Sequence, residues 1–472
     1  MTKCSRQTHK GIARTEQLTL DFPGGKPVTL AFDAEDVTSD SGLAAFGALD
    51  ARLDLLAAAA QFVNDLRSPD MIVHPLDRLM REAVFAYMAG YGDACDHAPL
   101  ARDPLFARLV GPTNARTRNP RATDGLASEA TISRLLHARK VDLSRLGFVH
   151  VEQFVAALGR TRPEEITLDI DGYDALTHGQ QQLALWNGHF GATVHCPLAV
   201  TVAEFGFAVG ALLRPGNTWS GADAVALLEP AIIRLKEALP STRIRVRADS
   251  GFMDPALYEM LERHGVEYAI RVRMNARLRE LVDERLGRRV RRMMARRPDR
   301  AWAIHAEARH FVESWGRKRR VILKVQYNPA KGEVERYVIV TNSRRSKTKA
   351  WRFHEKRGQC EQRIDELKNH LDADRFSLST FEANSTRLHL VTMAHNQFAA
   401  ARMMLPRHHE LKRATVQRLR ITLVKCGAVV MKTTRRVWLH ASRNWPWRGL
   451  LGDVARRFAG GRVRATPLWD AG

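Results

Sequence analysis

The stretch EEITLDIDGYD, residues 164–174, decides how this chain is read. Ile166, Leu168 and Ile170 alternate with Thr167, Asp169 and Asp171, the period of a β-strand. Asp169 and Asp171 therefore share one face of that strand, and the Gly172 turn follows directly. ATVHCPLAVTV (192–202) and FAVGALLR (207–214) read as further strands. GADAVALLEPAIIRLKEAL (221–239) is an amphipathic helix, and STRIRVRADSGF (241–252) is a strand running into a turn. DPALYEMLERHG (254–265) is a helix stopped by Gly265, and VEYAIRVR (266–273) is again a strand. Strands followed by helices make this region α/β.

Outward from it the pattern changes on both sides. Residues 1–45 read as extended and loop-rich, with a Gly24-Gly25 turn, and 43–65 as an Ala/Leu-rich helix. Helical stretches fill 74–143, and Ser128 is placed to cap SEATISRLLHARK. Those short helices are read either as a DNA-binding module or as a plain helical scaffold. Beyond the α/β region, AEARHFVESW, RRVILKVQYN and EVERYVIVTNS (306–343) read as antiparallel strands, with an Asn-Pro-Ala-Lys-Gly turn before the last. Helical signals resume over 353–404, and the tail, 410–460, reads as helical, basic and Trp-bearing.

Charge indicates the partner. The 472 residues carry 74 Lys+Arg against 51 Asp+Glu, a net +23. From Arg402 to the end there are 16 basic and 3 acidic residues, and RLGRRVRRMMARRPDR (285–300) holds eight arginines and one aspartate. An arginine excess of this kind suits a polyanion, chiefly nucleic acid. No apolar run approaches the roughly 20 residues that span a bilayer, so no membrane partner is expected. The start, MTKCSRQTHKG, has no signal-peptide stretch, and Cys4, Cys95, Cys196, Cys360 and Cys426 are scattered without a C-x-x-C pair. A reducing cytoplasm fits, with neither a disulfide framework nor a structural zinc site.

HEKRGQCEQRIDELK (354–368) spaces His354, Arg357, Glu361 and Lys368 as H-x2-R-x3-E-x6-K. On a helix Arg357, Glu361 and Lys368 share a face beside an apolar stripe of Cys360, Ile364, Leu367 and Leu371. Alone, the polar stripe reads as a solvated ion-pair face. The other reading is a metal-binding carboxylate between two phosphate-gripping cations. Two-metal phosphodiester chemistry needs carboxylates from separate segments, and magnesium prefers oxygen ligands. Asp171 at the end of its strand, Asp249 at the end of RIRVRADSGF and Glu361 supply such a set, and Asp174 reads as a turn cap. His178, His189 and His195 have spacings of 11 and 6 that match no zinc motif and are assigned to packing or polar roles. Trp219, Trp438, Trp445 and Trp447 are assigned to packing ahead of base stacking.

LDIDGYDALTHGQQQLALWNGHF (168–190), GNTWSGADA (216–224), RADSGF (247–252), RGQCEQRIDELKNHLDADR (357–375), FEANSTRLHLVTMAHNQF (381–398) and RLRITLVKCGAVVMKTTRRVWLHAS (418–442) together carry a resemblance. The chain resembles a DDE transposase of a bacterial insertion sequence, of the Y-R-E-K branch, most closely insertion-sequence family 1380. The resemblance implies Asp171, Asp249 and Glu361 as catalytic, metal-binding carboxylates, with two Mg²⁺ (or Mn²⁺) ions. It implies DNA-phosphate contacts by Arg357, by Lys368 and by His354, which stands at the signature's tyrosine. Tyr173 stands where this branch usually has Thr or Ser, two residues after the first aspartate, which sets Asp169 as the alternative ligand to Asp171, and Asp171 is kept. The fold implied is an α/β RNase H-like core interrupted by a β-rich insertion, with helical N- and C-terminal regions. The corresponding divisions are 1–73, 74–160 (DNA-end binding), 161–270, 271–345 (insertion), 346–404 and 405–472. The partners implied are double-stranded DNA with terminal inverted repeats, target DNA and a second copy of the chain in a paired-end complex. The place implied is the bacterial cytoplasm, at the nucleoid.

Overall fold

The computed structural model describes residues 17–20, 26, 28–31, 34, 36–60, 64–120, 125–137, 141–142 and 145–460. Cys4, the MTKCSRQTHKG start, the Gly24-Gly25 turn and residues 461–472 lie outside them. The chain divides into two compact units. One comprises 1–52, 65–141 and 404–472, and the other 53–64 and 142–403.

The second unit is built on one eight-stranded sheet. Helix α1 (Leu146–Leu158) leads into β1 (Glu165–Gly172), and then come β2 (Leu198–Val202) and β3 (Phe207–Leu212). Next in the chain are α2 (Ala224–Ala238), β4 (Arg243–Ala248), α3 (Pro255–Arg263) and β5 (Glu267–Val272). Helix α4 (Ala276–Arg296) precedes β6 (Trp302–His310), β7 (Arg319–Asn328) and β8 (Glu333–Thr341). The last elements are α5 (Lys347–Glu355), α6 (Gly358–Asp365) and α7 (Phe381–Met404). The strand order is β3-β2-β1-β4-β5-β8-β7-β6. Strands β1, β2 and β3 form an antiparallel meander, β4 lies parallel to β1 and to β5, and β8 returns antiparallel to β5.

Local chemistry explains these elements. Asp254 accepts a hydrogen bond from the Ala256 amide at 2.9 Å and Pro255 opens α3. Asn275 caps α4 through the Leu278 amide at 2.9 Å. Residues 166–170 of β1 and 321–323 of β7 are buried at consecutive positions, as expected of strands covered on both faces. Of the segments read as strands over 306–343, RRVILKVQYN and most of EVERYVIVTNS do form antiparallel strands that extend the central sheet, whereas AEARHFVESW is strand only to His310 and turns through a short helix at Glu313–Trp315. ATVHCPLAVTV is not one strand. It breaks at Cys196-Pro197, so that Ala192–His195 joins a small sheet with Ala175–Leu176 and Leu185–Asn187, while Leu198–Val202 joins the large one.

In the first unit the helix Leu76–Ala89 ends at Gly90, whose φ of 92° is the left-handed conformation that glycine adopts freely. Arg420 donates to the Met88 and Tyr87 carbonyls at 2.8 and 3.3 Å and so caps that end. The tail is not wholly helical, contrary to its sequence reading. Ala428–Lys432 and Val437–Ala441 pair as a hairpin, with Val37–Thr38 added along its edge. The β-branched AVVMK run and the polar turn after it outweigh the surrounding helical signal. Ser128 precedes the helix Glu129–Leu136, yet its hydroxyl meets the Thr131 hydroxyl at 3.0 Å and caps no amide. Trp445 and Trp447 pack edge to face at 5.2 Å.

His150 on α1 and His389 on α7 are buried against each other, with Nε2 and Nδ1 3.1 Å apart. Burial lowers both, His389 to about 4. Below the ordinary histidine value of 6.5 the unfolded chain takes up protons that these rings refuse, so stability falls as pH drops from about 6.5 towards 4. His389 alone accounts for on the order of 3 kcal/mol of that loss. His389→Leu is expected to flatten the decline of melting temperature between those pH values, as measured by circular dichroism; an unchanged slope refutes the assignment.

Candidate active site

The site lies at the ends of β1 and β4, where parallel neighbours bring two aspartates together. The register sets Arg247 opposite Asp169, and two residues beyond each lie Asp249 and Asp171. Gly172 donates its amide to Asp171 Oδ1 at 3.1 Å. The Asp249 side chain accepts from the Gly251 amide at 2.8 Å, capping the short turn Ser250–Phe252. Burial raises the Asp171 carboxyl above the usual carboxylate range; Arg357 opposes the rise, and the nearby Asp249 charge adds to it.

HEKRGQCEQRIDELK is not one continuous helix. Helix α5 ends at Glu355, Arg357 stands at the start of α6, and Glu366–His370 form a wider π-type turn. Gly358 is a weak helix former at the break. The π turn faces Glu366 inward, where it is fully buried against Arg363, Arg402 and His395. Cys360, Leu367 and Leu371 of the expected apolar stripe are buried, whereas Ile364 is half-buried. Cys360 docks α6 on β2, its sulfur 3.8 Å from the Thr201 hydroxyl.

This shape sends the polar residues towards the end of β1. Arg357 Nη1 donates to Asp171 Oδ2 at 2.6 Å, and Nη2 donates to Glu361 Oε1 at 3.2 Å. Burial works against the Arg357 charge, and Asp171 and Asp249 outweigh it. Lys368 reaches Asp174 at 2.9 Å, so Asp174 is an ion-pair partner where the sequence suggested a cap. The Glu361 side chain is 67% exposed. His354 packs against the end of β4. Its ring is buried, its Nε2 lies 3.3 Å from the Ala248 carbonyl, and burial lowers it to about 4. A neutral ring facing a carbonyl donates to it, and this one ties α5 to the end of β4.

Among the described residues no three His, Cys, Asp or Glu side chains stand close enough together to hold a metal ion. Asp171, Asp249 and Glu361 offer the hard oxygen donors that magnesium takes. In this structure Arg357 supplies the positive charge between Asp171 and Glu361. The donor chemistry fits the ion.

Sequence reasoning missed two buried cations here. Arg247 is bound twice by Asp169, at 2.6 and 2.7 Å. Arg214 donates to the carbonyls of Cys196, Trp219, Ser220 and Ala222, pinning the GNTWSGA loop. That loop needs its glycines. A Cβ at Gly216 would stand 1.9 Å from the Val194 carbonyl oxygen, and one at Gly221 2.1 Å from the Trp219 ring and 2.8 Å from the Gly251 carbonyl oxygen. The signal for Arg247 was present in the alternation of Arg243, Arg245 and Arg247 along RIRVRA, the last of them two residues before Asp249. His178 and His189 are exposed, and His195 is buried with Nε2 3.1 Å from the Gln182 carbonyl.

A protein-family model, transposase DDE domain group 1, matches residues 21–462. Among solved structures the chain is similar to piggyBac transposase in a cryo-EM synaptic complex with hairpin DNA, with 13% sequence identity and a TM-score of 0.36 over 77% of this chain and 75% of that one. No curated protein matches it. The family match spans nearly the whole chain, sheet and site included, and the chain belongs to the transposases of DDE domain group 1.

Proposed function

We propose that this protein is an insertion-sequence transposase of the Y-R-E-K branch, akin to insertion-sequence family 1380, which cuts DNA at the element's ends and joins them to target DNA. The observation that carries the reading is Arg357, which joins Asp171 to Glu361 beside Asp249. Two of the three carboxylates, one at a strand end and one on a helix, thus meet on one cation, with the Asp249 charge near the first, in a chain of this family. The strand order β3-β2-β1-β4-β5, with an antiparallel meander followed by parallel strands, supports an RNase H-like core. Helix α4 and strands β6–β8 are the elements that this reading takes as the insertion.

Asp171, Asp249 and Glu361 would hold two divalent ions, Mg²⁺ or Mn²⁺. Bound there, the ions supply Lewis acidity and a water of lowered pKa. Of the two aspartates in β1, Asp171 is the better ligand, since both oxygens of Asp169 are held by Arg247. Arg357 and Lys368 each sit on a carboxylate that a phosphate would replace as partner, and an arginine fork suits a phosphodiester. His354 acts through the backbone of β4. The water-derived cut frees a 3′-hydroxyl, which then attacks a second phosphodiester, with no covalent enzyme intermediate. Double-stranded DNA with terminal inverted repeats, target DNA and a second copy of the chain are the partners of this reading. Its place is the bacterial cytoplasm, at the nucleoid. Among the described residues no helix is long and apolar enough to cross a membrane.

The arginines at 285, 288, 289, 291, 292, 296, 297 and 300 are all exposed, which suits a DNA-backbone surface. Replacing Arg288, Arg291, Arg292 and Arg296 by Gln should reduce the slope of log K against log salt by up to about four for duplex binding. An unchanged slope in fluorescence anisotropy removes that surface from the DNA path. For the chemistry, wild-type protein with Mg²⁺ should nick an inverted-repeat end, while Asp249→Ala and Glu361→Ala should bind it and cut at least about 1,000-fold more slowly. Cleavage by either variant at the wild-type rate would sink the assignment.

A further inference from the structure

We propose that Asp169 and Arg247 are positioning residues that hold the three carboxylate-bearing segments in one arrangement. The proposal rests on the reading of Asp171, Asp249 and Glu361 as the catalytic set. Asp169 and Arg247 are 1% and 2% exposed and face each other across the parallel β1–β4 pair. Both oxygens of Asp169 are engaged by Nε and Nη2 of Arg247, at 2.6 and 2.7 Å. The two-pronged bond fixes the relative height of the strands, and one side-chain period further on lie Asp171 and Asp249.

The same guanidinium reaches the end of α5, the helix that leads into the Glu361-bearing α6. Arg247 Nη1 donates to the Phe353 carbonyl at 3.0 Å, and its Cζ lies 5.2 Å from the centre of the Phe353 ring. Arg245 covers that ring at 4.3 Å. One residue on, His354 donates back to the Ala248 carbonyl. The end of α5 is thereby clamped to the end of β4 by two bonds running in opposite directions, and Arg357 and Glu361 follow within two turns. Opposite Asp169 on β2 stands Thr201, whose hydroxyl meets Cys360 of α6. A well-packed apolar pair of similar volume holds a sheet together as well as a buried ion pair does. What the pair adds is directional: one planar fork on β4, aimed at β1 and at a helix end.

The test uses the full chain. A single neutral substitution strands a buried charge, so the informative variant is the double Asp169→Leu/Arg247→Met, which removes both charges at similar volume. Arg247→Lys, which keeps the cation without the fork, is its companion. Melting temperature, end-DNA affinity, kcat and KM for cleavage, and backbone hydrogen exchange are measured for each. The double variant should fold and bind end DNA with KM within about threefold of wild type, while kcat falls about 100-fold. Exchange should rise in 247–252 and 353–361 and stay unchanged in β6–β8. Arg247→Lys should show the same split with a smaller loss. A folded double variant with wild-type kcat, or with unchanged exchange in those two segments, overturns the proposal. If the double variant does not fold, Arg247→Lys decides by the same two readouts. If wild-type protein does not cleave, the functional reading fails, and the exchange data still decide the clamp.

Discussion

A charge buried in a β-sheet must be answered within the sheet, and in this protein Arg247 and Asp169 answer each other. Leaving either carboxylate or guanidinium alone at that depth costs several kcal/mol, so the two strands have little freedom to slip. Slippage by one residue would also turn every side chain of β1 to the opposite face. Asp171 and Asp249 inherit their proximity from this constraint, because each follows a member of the pair by two residues on parallel strands.

The second constraint is electrostatic. Asp171 is largely buried and close to Asp249, an arrangement that calls for a cation. Arg357 provides one and binds Glu361 with its other nitrogen. The break between α5 and α6 makes this possible, since an arginine at a helix start can swing towards the sheet. The π turn after α6 then brings Lys368 to Asp174. Both cations meet carboxylates at the end of β1, where a polyanionic substrate would compete for them.

Much of the sheet was legible in the sequence because strand periodicity is local. Alternation over 164–174 and the apolar runs of 319–341 named their strands directly, and Asp254-Pro255 and Gly265 marked the bounds of α3. The failures share a cause. The break at Cys196-Pro197, the hairpin at 428–441 and the inward turn of Glu366 each depend on which partner a segment finds, near in the chain for the two strands of the hairpin and distant for Glu366, which meets His395 and Arg402. Spacing placed Arg357, Glu361 and Lys368 on one helical face. The fold instead gave Arg357 to Asp171 and Lys368 to Asp174, 186 and 194 residues away.

The sequence by itself determined the α/β pattern, the basic charge that calls for a polyanion, and the candidate carboxylates Asp171, Asp249 and Glu361 with their flanking cations. Residue type, period and net charge are properties of the chain alone. Only the tertiary structure decided that Asp169 is held by a buried guanidinium, that His354 faces a backbone carbonyl, and that Arg357 bridges two of the carboxylates. Those outcomes turn on burial and on hydrogen-bond geometry, which exist only once strands and helices from distant parts of the chain have packed together.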